Sequence, residues 1–188
     1  VFKICRMSDI GKIVKGGHNI GIEADITLGE MDLTAMEMIV LPGGLGGVTS
    51  VRASRKAMDM LRYAWDNGKF VAAICAGPTV LADLGITDGR TATCYPGCES
   101  QMGTSCMVSD APCVRDGKLI TGTSAGCAIP FGLELVKALK GENEAENYKI
   151  YINSLKDNAS TVSNKLEEIF SYYKNLILFF KKLTKIVN

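Results

Sequence analysis

Histidine is nearly missing from this chain, occurring once, at His18, and its seven cysteines (Cys5, Cys75, Cys94, Cys98, Cys106, Cys113 and Cys127) include no C-x-x-C pair. Zinc sites draw on such ligands at short spacing, so no metal site is expected. An odd set of thiols also argues against a disulfide scaffold, and most of them are expected to be small buried hydrophobes. Excess charge of either sign is lacking too: 21 basic against 20 acidic residues leave a formal charge of +1. No electrostatic footprint for nucleic acid or an anionic membrane results. Long apolar runs are absent, since the longest near the end, Leu176 to Phe180, falls far short of the roughly 20 residues that cross a bilayer as a helix. No basic-flanked apolar leader with a small-residue cleavage site is visible. These absences point to a cytoplasmic protein whose partner is a small molecule or another protein.

What remains is 188 residues, 47% hydrophobic, within the range of one soluble domain with a full core. All 20 glycines, 5 prolines and 7 cysteines fall at or before Gly141. That break divides a main domain, 1–141, from a tail, 142–188. In the tail Leu166, Ile169, Phe170, Tyr173, Leu176, Ile177 and Phe180 recur at three- and four-residue spacing, with Lys181, Lys182 and Lys185 beyond them. This pattern predicts an amphipathic helix from about Asn147 onward, packed on its own domain or on a partner, with a membrane-surface role as the alternative.

The main domain alternates between two periods. "FKIC", "MIVL" and "FVAAI" read as strands, and Ala53, Ala57, Met60, Leu61, Ala64 and Trp65 share one helical face. A helix is expected from about Pro78 to Leu84, a strand at "TATCY", a hairpin at "VRDGKLIT", and a helix from Ala128 to Lys140 ended by Gly141. Strand and helix in alternation imply an α/β fold with a mainly parallel sheet.

In such sheets the loops at the carboxyl ends of the strands carry the site. Three glycine-bearing turns fall there: "LPGGLGG", "CAGP" and "TSAGC". Cys75 stands between a buried strand and a helix opened by Pro78, where the chain must turn sharply and lift the side chain above the helix N-terminus. The helix dipole and unpaired N–H groups there favour a thiolate. Gly43 and Gly44 let backbone approach closely. The N–H groups of Gly43, Gly44 and Ala76 are therefore candidate oxyanion donors, with Cys75 as the nucleophile.

"IVLPGG", "AAICAGPTVLADLG" and "TATCYPG", in this order and at these intervals, resemble the ThiJ/PfpI family, in the branch related to the Parkinson-disease-linked deglycase. The resemblance covers residues 1 to about 141. It implies a flavodoxin-like α/β sandwich, usually a homodimer, working without a cofactor. It implies too that Cys75 is the reactive cysteine and that Gly44 and Ala76 are the backbone donors beside it. Activities attributed to relatives are hydration of methylglyoxal to lactate, disputed protein deglycation, and redox-sensing or chaperone roles.

The chain departs from the family pattern at its start. Relatives begin with a strand, a loop whose glutamate bonds the cysteine, and a helix, whereas this chain starts at what matches their second strand. The fold is accordingly expected to be N-terminally incomplete. Glu23, Asp25 and Glu99 are the acids that could stand in, none of them favoured by its context. His18, in a glycine-rich segment, is the candidate proton carrier. Cys75-Ala76 lacks the Cys-His elbow of relatives with proteolytic annotation. A glutamine amidotransferase needs a histidine downstream of its cysteine, and His18 lies upstream. The expected activity is a cysteine-dependent glyoxalase or deglycase acting on a small carbonyl substrate, one that traps methylglyoxal better than it turns it over. The alternative is a sensor switched by oxidation of Cys75.

Overall fold

The computed structural model describes residues 3, 5–6, 13–15 and 20–157. His18 and the apolar tail positions from Leu166 to Phe180 lie outside them. The chain divides after Gly141 into two units, each taken by itself. The first opens with short strands β1 (Cys5–Arg6), β2 (Ile13–Lys15), β3 (Gly21–Glu23) and β4 (Ile26–Thr27), in which β2 and β3 pair antiparallel and β1 and β4 pair parallel. Then follow β5 (Met38–Leu41), α1 (Leu45–Ala53), α2 (Arg55–Asp66), β6 (Phe70–Ile74) and α3 (Pro78–Asp83). β7 (Thr91–Ala92), β8 (Cys106–Met107), β9 (Cys113–Asp116), β10 (Leu119–Gly122) and α4 (Ala128–Lys140) complete the unit. The second unit begins with α5 (Glu142–Asp157).

The principal sheet has the order β5-β6-β10-β9, with β5, β6 and β10 parallel and β9 antiparallel at the edge. Ile39 pairs with Val71 and Val71 with Leu119. Because side chains alternate across a strand, each strand feeds two cores. Leu41, Val71, Ala73 and Leu119 pack with Val48, Val51, Met60, Leu61, Val80 and Leu81 of α1, α2 and α3. Ala72 and Ile120 pack on the other face with Phe131, Leu135 and Ala138 of α4. A sheet buried on both faces explains the near-continuous apolar runs. It also leaves the carboxyl ends of β5, β6 and β10 together at one edge.

Four expectations change. The stretch after "LPGG" is not a loop: α1 starts at Leu45 and carries Gly46 and Gly47. Each glycine costs a helix about 1 kcal/mol, which hid it from a propensity reading, but Val48 and Val51 bury against the sheet and outweigh that cost. Ser54 then separates two helices, ending α1 through its N–H to the Val51 carbonyl (3.0 Å) and capping α2 by accepting from the Ala57 N–H (3.3 Å). The strand at "TATCY" shrinks to Thr91–Ala92 because its later donors leave the ladder, the Thr93 N–H going to Thr121 Oγ1 at 2.9 Å and the Tyr95 N–H to Cys75. The thiols are not mostly buried. Cys94 alone is; Cys106 is exposed and the other five are half-buried. α5 starts directly after Gly141, ahead of Asn147.

Among the described residues no helix is long and apolar enough to cross a membrane, and no cluster of His, Cys, Asp and Glu has the makings of a metal site.

Candidate functional site

The turn from β6 into α3 is closed by the Gly77 N–H donating to the Ile74 carbonyl at 3.0 Å. Its second residue is Cys75, with φ 65°, the one non-glycine residue among those described whose φ is positive. An L-residue in that region costs about 1–2 kcal/mol, so something must hold it there. Two bonds from distant segments do, one from the end of β10 and one from the turn after β7. The Cys75 N–H donates to the Gly122 carbonyl at the end of β10 (2.9 Å), and the Cys75 carbonyl accepts from the Tyr95 N–H (2.8 Å).

The second bond has a directional consequence. In a trans peptide the C=O and N–H point opposite ways, and no peptide bond among the described residues is cis. With the Cys75 carbonyl turned onto Tyr95, the Ala76 N–H faces away from it. Neither that N–H nor the Gly44 N–H meets an acceptor among the described residues.

The loop after β5 lies directly against the elbow. A Cβ on Gly43 would stand 2.5 Å from Cys75 Cβ and 3.0 Å from the Ala76 N. No side chain fits there, which is the reason for glycine. Gly44, next in the chain, has φ 89° and caps α1. Cys75, Ala76 and the Gly43–Gly44 segment are thus brought together, while His18 lies outside the described residues. Glu23 and Asp25 are exposed, and Glu99 is engaged locally, accepting from the Gly97 N–H at 2.8 Å. Among the described residues no side chain bonds Cys75 Sγ.

The electrostatics separate other thiols from chemistry. Burial, then the charge of Glu99 and the neighbouring Cys98, push Cys94 up to about 11. Burial, then Glu134 and Cys127, push Cys113 up to about 12. Both stay thiols at neutral pH.

Tyr95 and Gly122 escape a reading of the sequence alone, although both hold Cys75 in place. The faint signal for Tyr95 is Pro96 directly after it, which marks the point where a strand leaves the ladder at the site's edge. Leu45 (79% exposed) and Tyr95 (47% exposed) give that edge apolar surface.

A doubly covered α/β sheet with a left-handed cysteine at the turn between a central strand and a helix defines a protein of flavodoxin-like fold. The chain belongs to the DJ-1/PfpI family, whose model matches residues 2–138. It is 36% identical over 137 residues to dj-1beta of Drosophila melanogaster, covering 72% of this chain and 73% of that one. It is 32% identical over 129 residues to the deglycase PfpI of Pyrococcus furiosus, covering 68% of this chain and 77% of the relative. Among solved structures, Toxoplasma gondii DJ-1 in an oxidized form matches with a TM-score of 0.72 at 27% identity, covering 79% and 80% of the two chains. The crystal structure of the Drosophila protein matches with a TM-score of 0.68 at 35% identity, covering 73% and 74%.

Proposed function

We propose that this chain is a cysteine-dependent glyoxalase or deglycase, acting without a cofactor on α-oxoaldehydes or their adducts. One observation carries the reading: Cys75 is held in a strained turn, beside two backbone N–H groups that have no acceptor among the described residues. Strain kept at one position by bonds from two distant segments of the chain is the mark of a functional turn. The relatives named deglycases support the same class of chemistry.

The Cys75 thiolate adds to the aldehyde carbon, and the carbonyl π electrons move to oxygen. The N–H groups of Gly44 and Ala76 hold the resulting oxyanion, which a proton converts to a hemithioacetal. A proton then moves from the former aldehyde carbon to the neighbouring one, and water releases the hydroxy acid and the thiol. That transfer needs a carrier, for which His18 is the candidate. The homodimer, which rests on the family resemblance, and the cytoplasmic setting, which rests on the shortness of the chain's apolar runs, belong to the same proposal.

Incubation of the whole chain with methylglyoxal, with lactate measured over time, tests this. Lactate should form slowly compared with adduct, vanish in Cys75→Ala, and fall about 10²- to 10⁴-fold in His18→Ala. Undiminished lactate in Cys75→Ala overturns the proposal.

The unbonded Cys75 Sγ supports a second reading, as a peroxide sensor. A hydroperoxide delivers one oxygen to the thiolate at each of two steps, leaving as alcohol or water, and the sulfinate oxygens accept the same two N–H groups. Sulfinate at Cys75 with no lactate from methylglyoxal would favour it.

A further inference from the structure

The Ala76 carbonyl anchors a hydrogen-bonded chain that leads out of the site. Thr79 reaches it twice, through its N–H (3.2 Å) and its hydroxyl (2.7 Å). Arg52, on α1, donates from Nη2 to the same hydroxyl at 3.0 Å. Its Nε donates to Asp83 Oδ2 at 2.6 Å, at the far end of α3. The direction of the chain is forced. A guanidinium carries donors only, so Thr79 Oγ1 accepts from Arg52 and its single proton is left for Ala76. Thr79 is 1% exposed, and bulk water does not compete for that proton.

We infer that Thr79 and Arg52 are positioning residues for the Ala76 N–H, an inference that rests on reading Cys75 as a nucleophile toward carbonyls. Two peptide planes meet at Ala76. The first is held from the Cys75 carbonyl by Tyr95, and the second from the Ala76 carbonyl by Thr79. The Ala76 N–H lies in the first plane, and the second fixes the Ala76 Cα on which the first plane hinges, so the two bonds together set the direction of that N–H. An oxyanion donor works only within about 2.7–3.1 Å of the developing charge, so loosening the second plane, which the N–H groups of Gly77 and Thr79 still hold when the Thr79 hydroxyl is lost, shifts the donor without touching the thiol. α1 follows the loop that carries Gly43 and Gly44, and the Arg52 bonds to Thr79 and Asp83 tie α1 to α3. The same guanidinium therefore joins the elements that follow both candidate oxyanion donors.

The test compares two reactions of Cys75 in the full chain. Alkylation by iodoacetamide displaces iodide and forms no oxyanion. Methylglyoxal adduct formation does form one, and it is measured without turnover as protection of Cys75 from alkylation. In Thr79→Val, which keeps the shape and removes the hydroxyl, adduct affinity should fall about 10-fold or more. The alkylation rate without methylglyoxal should stay within about twofold of the parent, an expectation that follows from the thiol being left in place. Thr79→Ser should restore the affinity. Arg52→Met, which leaves the hydroxyl free to rotate, should give a smaller loss of the same selective kind, and it decides the matter if Thr79→Val does not fold. Equal losses in both reactions, or no loss of adduct affinity in either variant, overturn the inference. Absence of lactate from the parent chain alongside normal protection of Cys75 removes the glyoxalase reading and leaves the positioning role standing.

Discussion

Two turns at the same edge of the sheet each carry a cysteine, and they treat it in opposite ways. At the elbow, backbone geometry does the work: Cys75 is half-buried, has φ 65°, and is bonded through its N–H to the end of β10 and through its carbonyl to the turn after β7. In the neighbouring turn, side-chain packing dominates: Cys94 is buried against the core and turns its thiol toward the Tyr95 carbonyl at 3.5 Å. The two are coupled, because the residue after Cys94 supplies the N–H that holds Cys75. One turn is thus a support, and the other is the turn it supports. Residue type alone decides neither role; the source of each turn's hydrogen bonds does.

Thiol reactivity should separate the two most widely. During brief alkylation with limiting iodoacetamide at pH 7, Cys75 should be labelled first. Cys94 and Cys113, pushed up to about 11 and about 12, hold so little thiolate that they should lag by about 100-fold or more. Raising the pH from 7 to 9 should increase their rates about tenfold per unit, since both remain below their midpoints. Mass-spectrometric mapping gives the order. Cys106 is exposed and is the real competitor, so its labelling ahead of Cys75 would break the comparison.

A middling effect is expected at the contact between the β5 loop and the elbow. Gly43→Ala places a Cβ where Cys75 Cβ already stands at 2.5 Å, and one of the two backbones must move. Overpacking of this kind costs about 1–3 kcal/mol. Thermal unfolding should show that loss, and Cys75 should give up its lead in alkylation while Cys94 remains unreactive. A stable variant with the original order of labelling would mean that the loop is not needed to hold the elbow.

Much of this arrangement is legible in the chain. "FVAAI" followed by "CAGP" announces a strand, a turn and a helix, and β6 and α3 fall at Phe70–Ile74 and Pro78–Asp83. α4 runs from Ala128 to Lys140 as its apolar spacing and Gly141 imply. What escaped has a common cause in tertiary contact. α1 forms in spite of Gly46 and Gly47 because Val48 and Val51 find the sheet. The elbow's bonds come from Gly122 and Tyr95, distant in the chain, and no local pattern marks an N–H that will leave its own strand. Thiol burial was misjudged for a related reason, since residue type sets a tendency, and the two-residue strand that carries Cys106 and the edge strand that carries Cys113 set the exposure.

The smallest effect isolates backbone strain from everything else. Cys75→Gly and Cys75→Ala both remove the thiol, but only glycine relaxes at φ 65°. A left-handed alanine costs about 1–2 kcal/mol, while glycine gives back part of that through the greater freedom of its unfolded chain. Cys75→Gly should therefore be more stable than Cys75→Ala by about 0.5–1 kcal/mol. At Cys94, whose φ is not positive, the same pair of substitutions should reverse, with alanine the more stable by a similar margin. Chemical denaturation of the four variants reads both differences. Equal stabilities at position 75 would mean that the turn carries no strain, and the contrast between the two turns would then rest on packing alone.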